Sequence, residues 1–362
     1  MSHPFLYTAG AAVAVVLLYQ VSPLLKSKST KSAKTKSLKI SEIFVYPIKS
    51  LRPVKLDSAI ATKYGFQHDR TFMLLQATPD GYKNMAISRY PEMTQFLTSI
   101  HPSKAGKDIV KIDFIAFGNQ EKAKSTHIPL SPNTDDLESF NVDMHGSPTA
   151  AFKMPDEHNA WFSSCFGYDV LLIYLGPHKR KVLWKDMIQT ESASLLARIP
   201  LLSSAVPKTP EITFADCAPY LVVSSTSLDD VSSRLGPDEP MDVTKFRPNI
   251  VLSGAEDAWE EDFWAKLRLG NIELVMKHNC VRCASLNVDY ATGKPGTGAS
   301  GQVLKKLQKD RRVDSGTKWS PVFGRYAFWG PKGGECVLKV GDEAIVTEVN
   351  EERTVFNWPG LS

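Results

Sequence analysis

Two cysteines, Cys280 and Cys283 in the segment HNCVRC, are the residues whose type and spacing most directly suggest chemistry. Residue types alone leave three interpretations: two buried structural cysteines, a redox pair, or a single thiolate ligand to a metal. A structural zinc site needs four ligands, and His278 adds one candidate to the pair. Arg282 favours the thiolate form of the neighbouring Cys283. A single soft thiolate with open coordination positions suits a redox transition metal better than magnesium or calcium.

The residues after this pair bear on the redox interpretation. A thioredoxin-type pair lies at the start of a helix that follows a strand. Residues 284–288 alternate between small or polar and apolar side chains, which predicts a strand. This pattern argues against a thioredoxin-type site.

Cations and amides at predicted strand ends form the second candidate group. They are Lys49 and Ser50 in YPIKS, Arg70 in HDR, and Arg247 and Asn249 in FRPNI. Taken singly, each is compatible with an ordinary surface position. Together they could clamp the anionic group of a phosphate-bearing cofactor.

The absence of other catalytic motifs and the distribution of charge along the chain argue against several classes of function. The motifs GxxxxGK[ST], HExxH and GxSxG do not occur, and we expect no dinucleotide-binding fold. Of 43 Lys and Arg residues, six lie in residues 1–39, which contain no acid, so the remaining chain has 37 basic against 39 acidic residues. A nucleic-acid enzyme carries its basic excess on the folded body, so nucleic acid is not an expected partner.

The N-terminal segment is expected to be a membrane anchor. Phe5 to Leu25 contains no charged residue, and at about 1.5 Å per residue it spans roughly one bilayer core. Lysines follow this run, so residues 26 onward are expected to face the cytosol. Residues 26–37, rich in Lys, Ser and Thr, are expected to form a solvated linker. The mitochondrial outer membrane is the expected location, with the endoplasmic reticulum as the alternative.

The remaining chain is typical of an α+β protein that is mostly β. Its 362 residues allow one large or two ordinary domains, and many short apolar runs separated by Gly, Pro, Asn and Asp favour a barrel or sandwich with attached helices. Helices are predicted at 157–166, 226–235 and 302–309, and a further helix around Trp259 and Trp264. We predict an anchor and linker over 1–39, a β-rich domain over 40–175 and a second domain over 176–354, with 177–207 as a connection or surface loop.

Six ordered motifs together resemble one family. They are YPIKS, HDR-TF, KFRPNIVLSG, CVRC, SPVFGRY and VLKVGDEAIV. Over residues 40 to about 348 the chain resembles the MOSC-domain proteins, and among them the mitochondrial amidoxime-reducing components, which are molybdenum enzymes. The resemblance implies a MOSC β-barrel domain, an N-terminal β-rich MOSC domain and a transmembrane helix.

The resemblance also assigns roles to individual residues. Cys283 matches the molybdenum ligand and the catalytic position of the family. The residues that match positions holding the molybdenum cofactor, a molybdopterin, are Lys49, Ser50, Arg70, Asp216, Cys217, Ala218, Arg247, Asn249, Arg282 and Tyr326. Two departures concern small polar side chains: Cys217-Ala218 replaces Thr-Ser, and Val281 replaces Ser, so hydrogen bonds there must come from the backbone or be lost.

By the same resemblance, the expected activity is reduction of N-hydroxylated substrates such as amidoximes and hydroxylamines. Electrons would come from cytochrome b5 and its NADH-dependent reductase. The alternatives are a carrier of molybdenum cofactor or sulfur without its own turnover, and a membrane-tethered zinc or interaction protein that uses the CxxC pair structurally. The scattered histidines, His145 among them, show no ligand spacing and are interpreted as surface or satisfied core residues.

Overall fold

The computed structural model describes residues 30–102, 108–118, 123–188, 209–236, 240–331 and 333–361. In chain order the strands are β1 (Thr30–Val45), β2 (Val54–Leu56), β3 (Ser58–Thr62), β4 (Gly65–Phe66), β5 (Phe72–Thr78), β6 (Gly81–Asn84), β7 (Phe96–His101), β8 (Ile109–Phe114), β9 (Lys124–Pro129), β10 (Ser139–Met144), β11 (Ser147–Lys153), β12 (Val170–Tyr174), β13 (Arg180–Lys181), β14 (Glu211–Ile212), β15 (Tyr220–Ser224), β16 (Ile250–Ser253), β17 (Trp264–Leu269), β18 (Ile272–Val281), β19 (Val288–Asp289), β20 (Lys294–Pro295), β21 (Val322–Trp329), β22 (Cys336–Lys339) and β23 (Glu343–Asn350). The α-helices are α1 (Asp156–Phe166), α2 (Ser225–Ser233) and α3 (Val303–Gln308). Short 3-10 helices cover Pro91–Gln95, Val243–Phe246, Glu260–Phe263, Ala284–Asn287 and Ser300–Gln302.

Seven strands close into a barrel in the order β1-β16-β15-β21-β18-β17-β23 and back to β1. All neighbours are antiparallel except β15 and β16. Closure leaves these strands without an exposed edge. The expectation of a mostly β fold built around a barrel is therefore confirmed.

Both faces of the barrel wall are buried, which explains why its strands are apolar without a break. In β1, Ile43 and Val45 join a core cluster to which all seven strands contribute, whereas Phe44 and the adjacent Tyr46 join a second cluster on the opposite face. Successive side chains of a strand point to opposite faces. The second cluster forms the surface against which the site described below is built.

The N-terminal part of the chain adds antiparallel sheets and a helix. One sheet has the order β10-β11-β12-β5-β6, and β7, β8 and β9 form a meander. Helix α1 buries His158 and Phe162 and ends at Gly167, which takes a left-handed conformation with φ 79°. The predicted helix over 157–166 is confirmed, as are those at 226–235 and 302–309 within two residues.

Three sequence expectations are corrected. Residues 30–37 are the start of β1 and pair with β23 instead of forming a solvated linker, because strand pairing satisfies their backbone groups. Residues 284–287 form a 3-10 helix instead of a strand, since alternation over so few residues is also met by a turn that buries Leu286. The helix expected around Trp259 and Trp264 is limited to Glu260–Phe263, and Trp264 opens β17.

The anchor prediction concerns residues outside those described, as does most of the predicted connection at 177–207. Among the residues that the structure covers, no helix is both long and apolar enough to cross a bilayer.

Candidate functional site

A cavity lies between the outer face of the barrel and the N-terminal sheets. Its two adjoining parts have volumes of about 310 Å³ and about 100 Å³ and share eight lining residues. All eleven residues predicted for the site line one part or both: Lys49, Ser50, Arg70, Asp216, Cys217, Ala218, Arg247, Asn249, Arg282, Cys283 and Tyr326. The tertiary structure thus brings together every position named from the sequence.

The two thiols of the CxxC pair have different surroundings. Cys283 is exposed and lines both parts of the cavity, with its Sγ 3.2 Å from the Oγ of Ser285. Cys280 is buried, and desolvation raises the pKa of its thiol. Cys280 lines only the smaller part of the cavity, so Cys283 is the exposed thiol of the pair and the one that borders both parts.

The zinc interpretation of this pair has no support in the described residues. No group of three or more His, Cys, Asp or Glu side chains in that part of the chain is arranged to hold a metal ion. His278, the suggested additional ligand, is buried with its ring stacked 3.9 Å from that of Trp184, and its Nε2 lies 3.0 Å from the Oδ1 of Asp186. The imidazole is thereby committed to packing and to a carboxylate.

Two arginines, the buried Arg70 and the partly buried Arg247, form the positive wall of the cavity. The guanidinium groups of Arg70 and Arg247 each lie 4.3 Å from the ring centre of Tyr46. Arg70 also donates to the carboxylate of Asp69 at 2.5 Å and to the backbone oxygen of Arg247 at 3.0 Å. Desolvation lowers the pKa of Arg247, and the charge of Arg70 adds to this effect.

Arg247 retains an unused donor. Its Nη1 donates to the backbone oxygen of Leu51 at 2.9 Å, but its Nη2 is buried without a hydrogen-bond partner among the described residues. A buried donor without a partner carries a cost of about 1–3 kcal/mol.

Arg282 and Asn249 act mainly as supports. Arg282 donates to the backbone oxygens of Phe323 and Phe246, which fixes the strand end that carries Cys283. Asn249 accepts from Arg70 at 3.2 Å and from the backbone N–H of Leu221. Both residues line the cavity, yet their polar groups are largely used within the protein.

A lysine, a carboxylate and an imidazole meet on the other side of the cavity. The Oδ1 of Asp216 accepts from the Nζ of Lys49 and lies 3.3 Å from the Nε2 of His145. Desolvation acts to raise the pKa of Asp216, but Lys49 and His145 hold it well below its usual value. Burial lowers the pKa of Lys49, and Asp216 opposes that shift. Asp216 is therefore ionised and paired.

Backbone strain concentrates at this site. Among described residues other than glycine, six have positive φ, and four of them line the cavity: Ser50 (70°), Arg70 (52°), His145 (57°) and Arg247 (57°). Such conformations persist when the surrounding structure enforces them, and they cluster at functional sites.

Sequence reasoning missed two contributors. His145 was interpreted as a surface or core histidine, but the two-residue turn His145-Gly146 between β10 and β11 places it in the cavity. Its neighbour Gly146, a turn-forming residue, is the signal that could have indicated a tip position.

The second contributor is Arg180. It is fully buried and donates to the backbone oxygens of Met144 and Asp216 at 2.8 and 3.2 Å, so it joins the hairpin to the Asp216 loop. No short sequence motif around Arg180 indicates that it contributes to the site.

The departures in the Asp216 loop are accommodated by packing and backbone contacts. Cys217 and Ala218 are buried, and the backbone oxygen of Cys217 accepts from the Nε1 of Trp184 at 2.9 Å. Desolvation raises the pKa of the Cys217 thiol well above its usual value. Hydrogen bonding at this loop thus comes through the backbone, as the replacement of polar side chains requires.

One glycine pattern needs a structural interpretation. The letters GTGASG at Gly296–Gly301 have the spacing GxGxxG, although we expect no dinucleotide-binding fold. This segment follows the two-residue strand β20, which pairs antiparallel with β19, whereas the dinucleotide fingerprint belongs to a parallel βαβ unit. The spacing therefore does not indicate nicotinamide binding here.

Comparisons with known proteins agree with this architecture. The family description "MOSC N-terminal beta barrel domain" matches residues 37–169, and "MOSC domain" matches residues 209–345. Mitochondrial amidoxime reducing component 2 of Bos taurus is 28% identical over 306 residues, covering 84% of this chain and 81% of the relative. Mitochondrial amidoxime-reducing component 1 of Danio rerio is 28% identical over 351 residues, covering 93% and 92%.

A third relative carries a different name. The molybdenum cofactor sulfurase of Oryza sativa subsp. japonica is 26% identical over 293 residues, covering 79% of this chain but 31% of the relative. The two family descriptions together account for most of the chain, in the order seen in the fold. The protein therefore belongs to the MOSC-domain family.

Proposed function

We propose that this protein is a molybdenum-cofactor-dependent reductase of N-hydroxylated compounds such as amidoximes and hydroxylamines. The observation that carries the proposal is the exposed Cys283 thiol in a cavity lined by Lys49, Arg70, Arg247 and Arg282. The names of the mammalian and fish relatives support the same activity class.

The residues present fit a molybdopterin. Four cationic side chains line the larger part of the cavity against one carboxylate, Asp216, and guanidinium groups suit the oxygens of a phosphate. Cys283 supplies the soft thiolate that a redox metal prefers. When bound, the cofactor would supply the two-electron chemistry that removes oxygen from nitrogen.

The chain itself holds and orients the reactants. Lys49, Arg70 and Arg247 would bind the phosphate, and Asn249 and Arg282 keep the clamp and the Cys283 segment in place through their backbone contacts. Asp216, ionised and paired with Lys49, keeps a polar, hydrogen-bonding wall facing the substrate.

The electrons are proposed to come from cytochrome b5 and its NADH-dependent reductase. This part of the proposal rests on the resemblance to the family and on the glycine spacing of residues 296–301, which lies outside the parallel unit β15-α2-β16. We place the protein at the mitochondrial outer membrane with its body in the cytosol. The apolar run before the lysines and the mitochondrial names of the relatives support that location, and the endoplasmic reticulum is the alternative.

Metal analysis of the purified full-length chain tests the proposal. We expect about one molybdenum per chain, as a site with one thiolate ligand implies, and reduction of benzamidoxime when cytochrome b5 and its reductase are added. Cys283→Ala should lose the metal and the activity, because its thiol is the accessible one. Cys280→Ala, the matched control, should keep the metal, because its thiol is buried. Zinc without molybdenum, or full metal content in Cys283→Ala, would contradict the proposal.

A carrier of molybdenum cofactor or sulfur without its own turnover is the second candidate. The similarity to the rice molybdenum cofactor sulfurase favours it. A carrier would contain the same cations and thiol, so metal content does not separate the two. Catalytic turnover of benzamidoxime with reduced cytochrome b5 does, since a carrier yields no product beyond the amount of protein present.

A further inference from the structure

The proposed reduction consumes protons as well as electrons, and the cavity offers few groups that can supply them. For an amidoxime, RC(=NOH)NH₂ + 2e⁻ + 2H⁺ gives RC(=NH)NH₂ + H₂O. The N–O bond breaks, and the oxygen leaves as water with the bonding pair once it has gained a proton. The two supplied electrons go to nitrogen, which takes up the second proton. Protonation of such a leaving group by a positioned side chain typically contributes about 10²–10⁴-fold to the rate.

Most ionisable side chains in the larger cavity are unsuited to donate that proton. The three arginines are permanent cations, Lys49 is assigned to the phosphate clamp, and the pKa of Asp216 is held well below its usual value. Burial raises the pKa of Tyr326 and of Cys217 far above neutrality. Histidine is the side chain that exchanges protons near neutral pH, and the described lining contains one, His145.

The backbone of His145 is held from several directions. It occupies the tip of the β10–β11 hairpin with φ 57°, and its backbone oxygen accepts from the Nε1 of Trp358 at 3.2 Å. Arg180 donates to Met144, the preceding residue, and to the backbone of the Asp216 loop. A left-handed, multiply tied position for a residue other than glycine indicates that the location of this side chain is enforced.

The imidazole has an orienting partner and a path to solvent. Its Nε2 lies 3.3 Å from the Oδ1 of Asp216, and about a third of its side chain is exposed (31%). Carboxylate–imidazole pairs orient a proton-transferring ring. The exposed portion allows the ring to regain a proton from water after each turnover.

We propose that His145 is the proton donor to the departing oxygen of the N-hydroxylated substrate, an inference that rests on the proposed function. Its proton leaves in the water formed from the N–OH group, the second proton reaches nitrogen from solvent, and solvent reprotonates the ring. Asp216 is the positioning residue that orients the imidazole.

The test uses holoenzyme reduced beforehand with dithionite and mixed with benzamidoxime in single turnover, so that electron delivery by a partner does not limit the rate. In His145→Gln we expect the maximal rate to fall roughly 100-fold, with the half-saturating substrate concentration within about threefold and molybdenum content unchanged. Added imidazole should restore part of the rate in His145→Ala. His178→Gln is the matched control, because His178 stacks on Phe152 away from the cavity.

Each outcome decides the proposal. An unchanged rate in His145→Gln overturns it, as does a rate that falls only in step with molybdenum content, which would indicate a structural role. A wild-type holoenzyme that does not reduce benzamidoxime overturns the proposed function and the histidine's part in it together. Activity in the wild type with no effect of the substitution overturns the histidine assignment alone.

Discussion

Buried charges and strained backbones coincide at the level of single residues in this protein. Ser50, Arg70, His145 and Arg247 each hold a left-handed conformation beside the cavity, at a cost of about 1–2 kcal/mol per residue. Beside the ring of Tyr46, Arg70 is also buried and Arg247 is partly buried. The backbone N–H of Arg70 donates to the oxygen of Tyr46, and that of Arg247 donates to the oxygen of Thr244, which helps to hold the two cations in place.

One of the buried acids, Glu261, lies away from the site. Glu261 is fully buried, and its Oε2 accepts from the Oγ of Ser227 at 2.7 Å while its Oε1 has no partner among the described residues. Desolvation raises the pKa of Glu261 from 4.5 to about 7, against the opposing effect of the Ser227 hydrogen bond. The folded protein therefore binds a proton there that the unfolded chain releases above its own lower pKa.

Glu261→Gln tests this linkage. The pKa of Glu261 is higher in the folded protein than in the unfolded chain, so its carboxyl group makes its full contribution to stability at low pH. Its contribution declines by up to about 1.4 kcal/mol per pH unit as pH rises from about 4.5 to about 7. Glutamine keeps the acceptor for Ser227 and cannot ionise, so its advantage over the wild type in thermal melting should grow between pH 5 and pH 7. The exposed control Glu138→Gln should show no such growth, and parallel melting curves for Glu261→Gln and wild type would contradict the shift.

Among the elements, β1 links the two parts of the chain. It precedes every strand of the N-terminal sheets, yet it pairs with β16 and β23 and closes the barrel. The chain leaving β1 leads directly to Lys49 and Ser50 in the cavity. The strand therefore positions the cation clamp as well as completing the barrel.

Removing the first part of β1 should destabilise the protein measurably. A chain beginning at residue 40 loses the pairs between residues 30–39 and β23 together with the buried Leu38. A control chain beginning at Thr30 keeps them. We expect the melting temperature of the shorter chain to be lower than that of the control by roughly 5 °C or more. Equal melting temperatures would show that this part of the strand contributes little.

At the scale of the whole molecule, the site depends on both parts of the chain. Lys49, Arg70 and His145 come from the N-terminal part, and Asp216 and Cys283 come from the C-terminal part. Neither part contains a complete cavity. Binding of a cofactor between them should therefore stabilise their association.

Two polypeptides, 1–188 and 209–362, provide the test. Because β1 closes a barrel made otherwise of C-terminal strands, we expect the two pieces, when expressed together, to purify as a one-to-one complex that contains molybdenum. Expressed alone, 209–362 should lack both a closed barrel and bound metal. Metal bound at the full level by 209–362 alone would contradict a site shared between the two parts.

Local sequence determined much of the secondary structure and the chemistry of the site. The apolar runs Val170–Tyr174 and Ile250–Ser253 form β12 and β16, because apolar β-branched residues favour strands that are buried on both faces. The cysteine, cations and amide of the site were identifiable from residue type, short motifs and family resemblance. Their individual roles stay predictions until metal content and turnover are measured.

Only the tertiary structure decided which distant segments meet. Residues 30–37 were expected to be a linker because their composition is polar, and their pairing with β23 depends on a strand about 300 residues later in the chain. His145 lacked any ligand spacing, and its contact with Asp216 arises because a hairpin tip and a loop converge through Arg180. Local patterns encode side-chain chemistry and backbone preference, whereas long-range pairing is selected by the burial of the whole core, which no short segment contains.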